Sequence, residues 1–255
     1  MWPPLAEALA HPLLSEWLDR PPQTNEVGRS NALIAGLLAF ADQFPLPIDL
    51  IELGASAGLN LQLDRFGFNL GGNHIGDPGS PLQLTPEWRG SPPPAAKLEI
   101  ASRRGVDRTP LDPARDADRL SAFVWADQTP RLAQLDAALA VARAHPLTVE
   151  PGDAGEWLEE RLVKSQSNGI GRLIMHSIAF QYFAPETQAQ VSAAIERAGV
   201  EATARRPLGW LRFERLADER SPSLRLRTWP RGDDYLLARC HPHGAWIRWL
   251  AGPAH

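Results

Sequence analysis

The stretch IELGASAGLN, from Ile51 to Asn60, holds the residues of this chain best spaced for chemistry. Gly54, Ser56 and Gly58 fit G-x-S-x-G, the elbow that lifts a serine nucleophile to the end of a sheet. Such a serine needs an acid and then a histidine later in the chain, and Asp153 with His241 or His243 supplies that order. The surroundings argue the other way. Elbows generally follow several strands and an oxyanion loop, yet only helical pattern precedes Ile48 and no His-Gly-Gly run lies upstream. Glu52 is also foreign to the apolar strand of an elbow.

Read from Glu52, Gly54 and Gly58, the same stretch is an acidic strand end followed by a glycine loop, as in nucleotide-type cofactor sites. A pyrophosphate cofactor favours G-x-G-x-x-G, but Ser56 stands at the middle glycine and Leu59 follows Gly58. What remains is a variant of the acidic glycine turn that holds S-adenosylmethionine. Gly54 and Gly58 would let the backbone pass close to a ligand, and N–H groups at the helix start after Gly58 would face the methionine carboxylate. Glu52 would hold the ammonium group, with Ser56 and Asn60 as small polar neighbours. A plain tight turn packing strand against helix predicts the same glycines.

Cys240, His241 and His243 group possible metal ligands, with His74 and Asp77 elsewhere, but neither a paired-cysteine motif nor H-E-x-x-H accompanies them. A Pro-His-Gly turn between two late strands explains them without metal, and none is expected. The chain has nine Trp against two Tyr. Trp can face a sulfonium, though core and hairpin packing would absorb most of them.

These residues need a frame. Residues 1–45 read as helical, first from Leu5 to Leu18 around a break at Pro12, then from a cap at Thr24 or Asn25 to about Asp42. The first turn of that second helix carries Asn25, Glu26 and Arg29, which would meet a substrate if the helix start faces a cleft. Ile48 to Leu53 reads as a buried parallel strand and Gly58 to Phe66 as a helix. Residues 67–96, rich in Gly and Pro, read as a long surface insertion. Lys97 to Ser102 reads as a strand followed by a turn at Arg104 to Asp107. A helix over Pro130 to Ala144, a strand at Leu147 to Val149, a helix from Trp157, a strand at Leu173 to Ile178 and a helix over Pro185 to Ala198 continue the alternation. Four strand-like segments follow, at Pro207 to Phe213, Leu224 to Trp229, Tyr235 to Cys240 and Trp246 to Leu250. The pattern predicts a single α/β domain, a doubly wound, mostly parallel sheet with an antiparallel C-terminal edge.

At 255 residues and 44% hydrophobic, the chain can bury one sizeable core. One cysteine excludes an internal disulfide, and with no secretory leader pattern the expected compartment is the cytoplasm. No apolar run approaches the roughly 20 residues that cross a bilayer. The net charge of −4 is uneven: from Glu201 onward ten Arg face six acids, +4, which leaves −8 for the rest. In Leu224 to Trp229 the arginines alternate with apolar residues, as on the wet face of a strand, so nucleic acid is not an expected partner.

The segments TNEVGRSNAL, IELGASAGLNLQLDRF, RRGVDRTPLD, FVWADQTPRLAQL, MHSIAFQYF, PLGWLRFE and HPHGAWIRWL together resemble an uncharacterised prokaryotic family of unknown function. That family's fold looks like the Rossmann-like fold of class I S-adenosylmethionine-dependent methyltransferases. The resemblance implies that Glu52, Gly54 and Gly58 fall on the first cofactor motif and that Asp153 faces the adenine. Glu99 and Asp107 both stand as the acid for the ribose hydroxyls. His176 and Ser177, with Gln181 and Tyr182 beyond, would lie where the methyl meets a small-molecule acceptor. His176 or Tyr182 would serve as base, although a lone histidine at a strand end also serves as hydrogen-bonded structure. A non-catalytic descendant of the same fold is the alternative.

Overall fold

The computed structural model describes residues 23–250 apart from 165, 217 and 218, together with 7, 10 and 11. The helix expected between Leu5 and Leu18 falls outside these residues save for those three positions. Among the described residues no helix is long and apolar enough to cross a membrane.

The chain enters through a 3-10 turn, Val27–Arg29, that runs into helix α1 (Ser30–Gln43). The cap is Glu26, whose side chain accepts from the Gly28 N–H, and not Thr24 or Asn25. α1 is not an amphipathic surface helix: Leu33, Ile34, Leu37 and Phe40 are all 0% exposed. Burying each contributes about 1.5–3 kcal/mol relative to leaving it in water. Strand β1 (Ile48–Leu53) follows as predicted. The helix expected after Gly58 is a 3-10 segment, Asn60–Arg65.

Residues 67–96 are more ordered than a surface excursion. They form a small three-stranded sheet from β2 (Gly67–Leu70), β3 (Asn73–Gly76) and β4 (Gln83–Leu84). They also supply β5 (Glu87–Arg89), which joins the far edge of the main sheet. The turn expected at Arg104 to Asp107 is instead the second half of strand β6 (Ile100–Asp107). Gly105 fits there because a Cβ would stand 2.8 Å from that of Ala55 on the adjoining turn.

Helices α2 (Ala117–Ala122) and α3 (Thr129–Ala144) lead to β7 (Val149–Pro151) and α4 (Ala154–Leu162). Then come β8 (Gly171–Ser177), α5 (Pro185–Val200), β9 (Leu208–Glu214), β10 (Ser223–Trp229), β11 (Asp233–Cys240) and β12 (Trp246–Trp249). Among the described residues the main sheet has nine strands in the order β5-β12-β11-β10-β9-β8-β1-β6-β7. The run from β7 to β9 is parallel, whereas β10, β11 and β12 each pair antiparallel with their predecessor. The fold is mixed α/β with a mostly parallel central sheet.

One core, holding α1 and the buried side of α3, covers one face of the sheet. A second core, built on Trp157, Leu158, Val191 and Ile195, seats α4 and α5 on the other. Spatial order reverses at β1: the chain winds outward to β6 and β7, then crosses back to β8 and β9. Such a reversal leaves a crevice outside the strand carboxyl ends.

Candidate functional site

The loops leaving β1, β6, β7 and β8 do leave a cleft there, with a volume of ≈ 610 Å³. Its lining includes Gly54 and Ser56 after β1, Asp107 at the end of β6, Asp153 after β7, and Ile178 and Tyr182 after β8. Ser56 (φ 52°) and Ile178 (φ 47°) are the non-glycine residues with left-handed backbone among the described residues. Both face this cleft. For a β-branched residue such as Ile178 this conformation is strained, and strain of this kind clusters at functional sites.

The turn after β1 is not an open cradle. Gly54 and Ala55 donate to the Val106 carbonyl at 2.9 and 3.0 Å, Ser56 to Asp107 Oδ2 at 2.8 Å, and Gly58 to the Ala55 carbonyl at 2.7 Å. Ala57 and Leu59 both donate to Asn25 Oδ1, at 3.2 and 3.0 Å. Every N–H from Gly54 to Leu59 is therefore satisfied within the protein. The glycines serve packing: a Cβ on Gly54 would lie 2.6 Å from that of Ala179, and one on Gly58 would lie 2.8 Å from Leu147 Cδ1. This corrects the expected roles of Gly58 as a ligand contact and of Asn25 as a substrate contact.

Glu52 sits beneath the turn, 1% exposed and away from the cleft lining. Burial pushes its pKa up to about 8, with Asp107 adding repulsion and Asn60 and Arg29 opposing. It is mostly protonated at neutral pH, which removes the negative charge expected to hold an ammonium group. Asn60 Oδ1 accepts from Ser30 Oγ at 2.8 Å, so its amide NH2 is left to face Glu52. Glu52 and Asn60 form a buried polar prop for the turn.

Of the two ribose candidates, Glu99 precedes β6 at the opposite end of the sheet, where its carbonyl accepts from Ile48. Asp107 is at the cleft. It accepts from Ser56 N–H, from Gln23 Nε2 at 3.1 Å and from Thr109 N–H at 2.9 Å. A carboxylate has about four acceptor positions, so one remains. Asp153 caps α4 through the Gly155 N–H and accepts from Thr187 Oγ1, both at 2.8 Å. Burial alone would raise its pKa. The hydrogen bonds from Thr187, Gly155 and Glu156 and the charge of Arg108 outweigh that and hold it below the ordinary value.

The expected base at the end of β8 is occupied. His176 is 1% exposed and stacks on Phe180 with ring centroids 4.9 Å apart. Trp210 Nε1 can only donate, and lies 3.0 Å from His176 Nε2. The ring proton therefore sits on Nδ1, 2.7 Å from Glu214 Oε1. No lone pair is left to take a substrate proton, so His176 is a structural residue. Glu214 Oε1 also accepts from the N–H groups of Ala179 and Phe180, at 3.0 and 3.1 Å. The row Trp210, His176, Glu214 thus anchors the loop that carries Ile178. Sequence reasoning did not single out Glu214 or Trp210; both stand in the PLGWLRFE segment.

The other predicted residues are spread around this site. Arg29 is 8% exposed and donates to the carbonyls of Ser177 (2.8 Å) and Pro242 (3.1 Å). Burial lowers its pKa against the pull of Glu26 and Glu214. Arg29 and Ser177 are thus a buried clasp outside the cleft, and Gln181 is exposed beyond the lining. Tyr182 stays at the cleft mouth, 76% exposed. The cleft brings together Gly54, Ser56, Asp107, Asp153 and Tyr182.

No hydrolase triad forms among the described residues. Ser56 Oγ is buried without a hydrogen-bond partner, Asp153 is held by Thr187, and His243 pairs with Glu26 at 3.0 Å. Burial pushes the Cys240 thiol up to about 12, which leaves it inert as nucleophile or ligand. A larger groove, ≈ 690 Å³, lies between α1 and the small sheet. Its titratable lining is His74 and Asp64, the latter paired with Arg103 at 2.8 Å. The chemistry is concentrated at the crevice where the strand order reverses.

No curated protein and no solved structure matches the chain. Residues 1–249 match the family described as "Uncharacterized protein conserved in bacteria (DUF2332)", and the chain belongs to that family.

Proposed function

We propose that the cleft at the β1 and β8 ends binds an adenine nucleoside, with S-adenosylmethionine as the candidate cofactor and a small molecule as methyl acceptor. On this reading the fold is Rossmann-like, of the class I methyltransferase type. One observation carries it: Asp107 and Asp153, at the ends of the neighbouring strands β6 and β7, line one cleft beside strained Ser56 and Ile178. That is a pair of acceptors placed for ribose and adenine, with Val106, Phe183 and Ala184 as apolar walls.

The residues fit the nucleoside half of S-adenosylmethionine. They do not supply the expected cradle for its amino-acid half, because the turn N–H groups are satisfied and Glu52 is buried and neutral. When bound, this cofactor supplies an electrophilic methyl group. The chain's own part is to hold the ribose through Asp107, to face the adenine with Asp153, and to fix the wall of the cleft through the Glu214 anchor. Such catalysis works chiefly by positioning. With His176 sealed, Tyr182 is the one of the two expected bases that still lines the cleft.

The fully engaged turn favours a second reading, a non-catalytic member of the same fold. Titration calorimetry separates the two. On the first reading S-adenosylmethionine, S-adenosylhomocysteine and adenosine all bind, and methionine does not compete. No heat from any of them at millimolar concentration leaves the second.

A further inference from the structure

The antiparallel half of the sheet carries a cluster that the cleft does not use. Arg248 of β12 lies directly opposite Arg239 of β11 on one side and Arg89 of β5 on the other. Residues in such register point to the same face of the sheet, roughly 5 Å apart. Three arginines therefore stand abreast at the edge, an arrangement that costs stability because like charges directly opposite repel. A merely solvated face would alternate sign across the strands. Arg89 is paired with Glu87 at 2.7 Å, and Arg239 with Glu219. Arg248, in the middle, has no ion pair among the described residues, nor has Arg220 beside it.

These four arginines, with Glu219 and Trp246, enclose a groove of ≈ 450 Å³. Trp246 stands two residues before Arg248 on the same strand, hence on the same face, and His241 packs edge-on against its indole at 6.3 Å. We infer that this groove binds a small molecule carrying adjacent phosphates, of the nucleoside triphosphate or inorganic polyphosphate class. Each guanidinium presents a planar fork that matches phosphate oxygens two at a time, and a row of forks matches consecutive phosphates. Trp246 adds a flat apolar surface on which a base can stack. The volume suits a small ligand. Three of the arginines, Arg220, Arg239 and Arg248, come from the C-terminal section with its excess of positive charge.

The test is calorimetry on the full chain at low salt with inorganic tripolyphosphate, ATP and a short oligothymidylate. Wild type is compared with Arg248→Ala and with Arg231→Ala, an exposed arginine outside the groove. Tripolyphosphate is expected to bind, about tenfold or more weakly in Arg248→Ala and unchanged in Arg231→Ala, with neither variant melting appreciably lower than wild type. ATP binding tighter than tripolyphosphate would assign Trp246 to a base, and equal affinity would assign the site to polyphosphate alone. Three results overturn the inference: no binding of tripolyphosphate, equal loss in both variants, or binding of the oligothymidylate only. ATP binding that survives Arg248→Ala but disappears in Gly152→Leu would belong to the other cleft and count against this groove.

Discussion

At the scale of single residues, the glycine turn shows how one pattern serves two purposes. Gly54 and Gly58 both have φ of 70°, and both give up a Cβ to a neighbouring side chain. The need for glycine was legible in the sequence. What stands opposite it was not, since Ala179 and Leu147 come from distant parts of the chain. Gly58→Leu therefore tests packing and not ligand exclusion; a loss of about 2–4 kcal/mol in denaturant unfolding is expected, with binding retained by the folded fraction. Glu52 offers a second test. Its folded pKa of about 8 exceeds the ordinary 4.5, so the native state binds the extra proton between those values. Stability contributed by that proton is full below about pH 4.5 and is lost as pH rises through about 8. Glu52→Gln keeps the shape and removes the titration. The variant is expected to gain on wild type by the order of a few kcal/mol from pH 5 to 8, and parallel pH profiles would refute the buried neutral acid.

At the scale of elements, the residues that matter are those that fix loops. Glu214 takes two backbone N–H groups and the His176 ring proton on one oxygen. Glu214→Ala leaves these buried donors unpaired, at a cost of about 3 kcal/mol, with faster hydrogen exchange at Ala179 and Phe180. Protection unchanged at those two amides would show that the loop is held by other means. Helices α3 and α5 were legible because their apolar spacing and their Pro starts agree with their burial, and strand β8 because its apolar run is buried. The 3-10 segment Asn60–Arg65 was not, because Asn60 and Gln62 face inward to partners that periodicity does not reveal. The second half of β6 was missed for a similar reason: Arg103 is drawn to Asp64 and Gln62, and Gly105 yields to Ala55. Both features look like a turn in the bare sequence.

At the scale of the whole molecule, the alternation of strands and helices followed by a strand-rich tail was enough to anticipate a mostly parallel sheet with an antiparallel edge. Strand order, the addition of β5 at the far edge and the resulting row of arginines depend on long-range pairing that no local pattern encodes. The same pairing places the loops after β1, β6, β7 and β8 around one cleft, the proposed nucleoside site. Gly152 lines that cleft, has ordinary backbone, and would bring a new Cβ no closer than 3.6 Å to Val106 Cγ2. Calorimetric titration of S-adenosylhomocysteine into wild type and Gly152→Leu tests whether a nucleoside occupies this cleft. Wild type is expected to bind and the variant not to, at an unchanged melting temperature; equal binding to both proteins would place the ligand elsewhere.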